Sequence, residues 1–111
     1  MLNINYGMVQ KIGTLTSDDG TKVTLYRKVY TIYFSQMSQN TDYIHTDSFL
    51  KGKPNIHIER AYITFTNNNF RVPIGKYFHC MVNTSGEIIC NQMFTSSNPD
   101  TLCVVWVNFT D

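Results

Sequence analysis

Three cysteines, three histidines and eight acidic residues are the side chains in this chain whose spacing could carry covalent, metal or acid–base chemistry. Cys80, Cys90 and Cys103 show no Cys-x-x-Cys spacing, which argues against a structural zinc site or a dithiol redox pair. Cys80 and Cys90 flank the turn Asn83-Thr84-Ser85-Gly86, whose register sets them directly opposite each other. They are either a cross-strand disulfide or two small buried apolar residues. His79 cannot serve Cys80 as a base, because adjacent strand residues point to opposite faces. His45-Thr46-Asp47 and His57-Ile58-Glu59 each place an imidazole and a carboxylate on one side of a strand. That spacing suits a metal ion or a histidine steered by its acid, and it also arises on any polar strand. The carboxylates of Asp18, Asp19, Asp42, Asp47, Glu59, Glu87, Asp100 and Asp111 are scattered, most of them in turns, with no pair facing one cleft as glycoside hydrolysis needs. There is no glycine-rich phosphate loop and no nucleophile elbow. The expectation is a protein with no catalytic residue, no metal and no cofactor.

The elements that position these residues are strands. Of 111 residues, 31 are β-branched and 15 aromatic, against one Ala (Ala61) and five Leu. Branched side chains lose rotamer freedom on a helix and pack well on a pleated surface, and eleven Asn with six Gly supply turns. The chain, 12.8 kDa, is the size of one domain. An arm over 1–6 and a single antiparallel β-sandwich over 7–111, jelly-roll-like with about 8–9 short strands, are expected. Alternation places strands at 8–16, 21–27, 29–36, 43–49, 55–66, 70–74, 76–83, 86–94 and 101–109.

Two turns have a definite mechanism. Ser17-Asp18-Asp19-Gly20 and Asn83-Thr84-Ser85-Gly86 both fit a type I turn closed by a left-handed glycine. The first pairs Leu15 with Val23 and Ile12 with Tyr26; the second pairs Val82 with Ile88 and Cys80 with Cys90. Arg27-Lys28 interrupts an alternating run and suggests a bulge where a strand passes between sheets, and a similar slip falls near Glu59-Arg60. Leu102-Cys103-Val104-Val105-Trp106-Val107 is apolar on both faces, so it is covered twice, in a sandwich or at a subunit interface.

Charge and composition narrow the function classes. The net charge is +1 and only 15% of residues are charged, so there is no field to hold nucleic acid, although Tyr26-Arg27-Lys28-Val29-Tyr30 interleaves basic and aromatic residues. No run approaches the length that spans a bilayer, and Met-Leu-Asn-Ile-Asn-Tyr-Gly lacks the form of a secretory signal. The sequons at Asn83 and Asn108 carry little weight without one. Tyr30, Tyr33, Tyr43, Tyr62 and Tyr77, with Asn67-Asn68-Asn69, offer flat faces beside amides, a combination that serves sugars and protein partners. The ligand-contact set expected from this pattern is Tyr43, Tyr62, Asn67, Asn68 and Asn69.

The run Asn69-Phe70-Arg71-Val72-Pro73-Ile74-Gly75, followed by Met81-Val82-Asn83-Thr84-Ser85-Gly86-Glu87-Ile88, resembles the terminal domains of bacteriophage tail fibres and receptor-binding proteins. Val23-Thr24-Leu25-Tyr26-Arg27-Lys28 is similar to their entry strand, so the resemblance extends over residues 22–94. It implies a homotrimeric β-sandwich tip, part of a virion, that binds a host-surface glycan or protein receptor. Alternatives with the same fold are a structural virion or assembly protein and a stand-alone, extracellular carbohydrate-binding module.

Overall fold

A computed structural model describes residues 8–39, 42–65, 70–92 and 101–110. Among them there are nine strands: β1 (Val9–Thr16), β2 (Lys22–Tyr33), β3 (Ser38–Gln39), β4 (Tyr43–Thr46), β5 (His57–Phe65), β6 (Phe70–Pro73), β7 (Phe78–Val82), β8 (Glu87–Gln92) and β9 (Thr101–Thr110). The only helical turn described is the 3-10 segment Phe34–Gln36 that ends β2. The strands form a five-stranded antiparallel sheet, β1-β2-β9-β5-β6, packed on a four-stranded one, β3-β4-β8-β7. The expected all-β sandwich is therefore present. The pairs β2·β9 and β4·β8 bring distant parts of the chain together, one in each sheet.

Both glycine turns form as read. Leu15 pairs with Val23, Val82 with Ile88 and Cys80 with Cys90. In the first turn the Asp19 carboxylate accepts hydrogen bonds from the Ser17 hydroxyl and the Thr21 amide, which lower its pKa to about 2. In the second, Gly86 has φ +82°, a conformation that L side chains rarely adopt. A Cβ there would also run into the Asp47 carbonyl oxygen and lie 3.0 Å from the Lys51 amide. Only glycine lets the β7–β8 turn seat against the 47–52 loop, where the Asp47 N–H donates to the Gly86 carbonyl at 2.7 Å.

Bulges fall partly where expected. The register shifts between Ile58 and Arg60, as the slip in parity indicates. Arg27 and Lys28, by contrast, lie in an unbroken strand that stays in register with β9 from Leu25 to Tyr33. The irregularity is in β1, between Lys11 and Gly13, so Tyr26 pairs with Lys11 rather than Ile12. Charge, and not a bulge, breaks the pattern in β2: Arg27 pairs with Glu59 and Lys28 with Asp47.

β9 is central to the larger sheet. Its odd-numbered row, Cys103, Val105, Val107 and Phe109, enters the core with Ile63, Phe78, Ile88 and Leu50. In its even-numbered row Val104 is buried against Val29 and Tyr62 on the outer face, while Leu102 and Trp106 stay partly buried.

Candidate functional site

The outer face of the five-stranded sheet is built in cross-strand rows. Val29, Trp106 and Arg60 are aligned on β2, β9 and β5; Thr31, Val104, Tyr62 and Pro73 form the next row, and Tyr33, Leu102, Thr64 and Arg71 the third. Opposed residues on one face sit about 5 Å apart, so each row is a line of touching side chains. Tyr62 and Trp106 rest against each other at 5.7 Å between ring centroids. Arg60 lies 5.0 Å from the Trp106 ring and 5.5 Å from Tyr62, and Arg71 lies 4.9 Å from Tyr62, all within cation–π range.

Above the second and third rows opens a concavity of about 700 Å³, the size of a small-molecule site. Leu102 and Val104 give it an apolar floor, and Thr31, Thr64, Gln36 and Arg71 bring polar groups to its walls. The Tyr33 ring stands at its rim, 41% exposed. Gln36 is fixed by the 3-10 turn, where its side-chain oxygen accepts the Tyr33 N–H at 3.1 Å. That leaves the amide NH2 of Gln36 as its remaining donor.

Of the expected contact residues, Tyr62 lies in this site, although only 9% exposed because the guanidinium groups of Arg60 and Arg71 cover its ring. Tyr43 lies away from it: its ring packs in the core between the sheets, stacked on Phe34 at 4.2 Å. Asn67, Asn68 and Asn69 lie outside the described residues. The parity of β2, β5 and β6 could have pointed to Thr31, Tyr33, Thr64 and Arg71, but only the order β2-β9-β5-β6 brings them to one surface.

Two titratable clusters lie elsewhere. At the open edge of the sandwich, Asp47 accepts hydrogen bonds from Tyr30 OH, Lys28 Nζ (3.1 Å) and the Phe49 N–H (2.9 Å). Burial pushes the Asp47 carboxyl up, but these bonds and the Lys28 charge outweigh it and leave the pKa below the usual value. Burial pulls His45 down, against the pull of the nearby Asp47 charge, and its ring lies 5.9 Å from that of Tyr30. On the outer face, Glu59 accepts from Arg27 and from Asn108, whose amide also lies 3.4 Å from His57 Nε2. Among the described residues no trio of His, Cys, Asp or Glu is arranged to hold a metal ion.

Cys80, Cys90 and Cys103 are free thiols. Their sulfurs converge in the core, at 3.5 Å for Cys80–Cys90 and 3.6 Å for Cys90–Cys103. Hydrogen bonds with Cys80 and Cys90, together with burial, push the Cys103 thiol well above its usual pKa. Cys90 and Cys103 are buried, and Cys80 is partly buried against them.

Comparison of the chain with protein-family models, with curated proteins and with solved structures finds no match.

Proposed function

We propose that the chain is a non-catalytic binding module that holds a host-surface glycan against the outer face of its five-stranded sheet. The observation that carries this reading is the concavity over the second and third rows, with its apolar floor, exposed Tyr33 ring and wall of hydroxyl, amide and guanidinium donors. A sugar ring has an apolar face for the Tyr33 ring or the floor, and hydroxyls at its perimeter for Thr31, Thr64 and Gln36. The absence of a catalytic role is supported by how the acids are used. Asp47 is engaged by three donors and Glu59 by two, so neither is poised to take a substrate proton.

The tail-fibre resemblance supplies the setting: the tip of a virion fibre or baseplate, assembled as a homo-oligomer, a trimer for preference. Several such sites presented together gain avidity over a weak single-site affinity. The exposed apolar residues Val9 and Leu15 on β1, an edge strand, and Met81 on β7, another edge, offer surface for neighbouring subunits.

Tyr33→Ala tests the reading. Its ring is exposed, so stability is expected to change by no more than about 0.5 kcal/mol. Adsorption of the protein to immobilised glycans is expected to fall by about tenfold, the loss of one stacking surface. Unchanged adsorption, with the melting curve also unchanged, would sink the proposal.

A further inference from the structure

Among the described residues that line the concavity, hydroxyl, amide and guanidinium donors surround the apolar floor, and none is Asp or Glu. Elsewhere the chain neutralises its partly buried cations, Arg27 with Glu59 and Lys28 with Asp47. Arg60 and Arg71 have no carboxylate partner among the described residues, yet both are held on the same face by aromatic rings. A guanidinium resting on a ring spends none of its N–H donors on that contact, so the fork that recognises a carboxylate stays available. Gln36 adds to the bias, since its oxygen is already engaged by the Tyr33 N–H.

From this we infer that the ligand of the site is an acidic saccharide, with its carboxylate on Arg71. The inference rests on the binding reading above and adds the ligand class to it. A carboxylate gives Arg71 a planar, bidentate partner that inorganic phosphate or a neutral sugar does not combine with an apolar ring face. The apolar floor of Leu102 and Val104, the Tyr33 ring and the hydroxyls of Thr31 and Thr64 match the rest of a sugar acid.

The test is a panel of immobilised oligosaccharides of matched length, sialylated, uronic-acid-containing and neutral, with a glutamate-rich peptide as a further arm. At least one acidic sugar is expected to bind about tenfold or more tighter than its neutral counterpart, the effect of a hydrogen bond to a charged group. Added salt should erode that preference, Arg71→Gln should abolish it while leaving weak neutral binding, and Arg71→Lys should keep only part of it. Equal binding of neutral and acidic sugars would overturn the acidic class and leave the glycan reading standing. Binding of the acidic peptide as tightly as any sugar would overturn the saccharide. No binding to any member of the panel by the folded wild-type protein would overturn both.

Discussion

Asp47→Ala is expected to destabilise the protein by about 2–3 kcal/mol, because it removes one partner of a largely buried ion pair and leaves the other unpaired. The Lys28 and Asp47 side chains are only 15% and 14% exposed, so water replaces the bond only in part. The same substitution strips an acceptor from Tyr30 OH and from the Phe49 N–H. These contacts join β2 in one sheet to the end of β4 in the other, so the loss is a loss of sheet-to-sheet attachment. Asp47→Asn keeps an acceptor oxygen but no charge and should fall between wild type and alanine. Urea unfolding measures the series, and a cost below about 1 kcal/mol for alanine would contradict the account.

The same cluster sets a pH dependence. Asp47 has a folded pKa below its unfolded value, so its contribution is present at neutral pH and is lost as pH falls below about 4 through the folded value. Tyr30 is shifted the other way: burial first, then its bond to Asp47, hold the phenol well above its usual range. The unfolded chain ionises that phenol above about pH 10 while the folded one does not, so stability falls there too. Asp47→Asn is expected to shrink the acid limb, leaving the part that Asp19 and Glu59 contribute, and to leave the alkaline one, which burial dominates.

Phe109→Ala is expected to cost about 3–5 kcal/mol, the range for deleting a large buried aromatic ring. Phe109 is 2% exposed, stacks on Tyr26 at 5.6 Å and meets the edge of Phe49 at 5.4 Å. It therefore joins β2, β9 and the loop that carries Phe49 at the same end of the core as the Asp47 cluster. For a domain this size that cost lowers the melting temperature by roughly 12–20 °C, a large share of a total stability of about 5–15 kcal/mol. Lys51→Ala, on an exposed side chain, is the control and should stay within about 0.5 kcal/mol of wild type. A Phe109→Ala protein as stable as that control would contradict the packing described for the core.

The features legible in the sequence are those set by neighbours along the chain. Gly20 and Gly86 fix two turns and the registers that follow, and the parity change from Ile58 to Ile63 marks the bulge in β5. Arg27-Lys28 misleads because its partners, Glu59 and Asp47, lie 32 and 19 residues away, and local alternation cannot distinguish a paired charge from an irregular backbone. The binding face is only partly legible for the same reason. Tyr43 and Tyr62 look alike in the sequence, yet one faces the other sheet and one the outer surface. Which face of each strand turns inward, and that Arg71 lies beside Thr64, depend on pairings that only the closed sandwich makes.

The most direct measurement is a chemical-shift footprint of the acidic oligosaccharide that binds best, recorded on the intact protein. Shifts concentrated at Thr31, Tyr33, Gln36, Thr64, Arg71 and Leu102, with the far sheet silent, are the predicted result. Shifts centred instead on His79, Met81, Ile89 and Asn91 of the four-stranded sheet would contradict it and move the binding surface to the other side of the molecule.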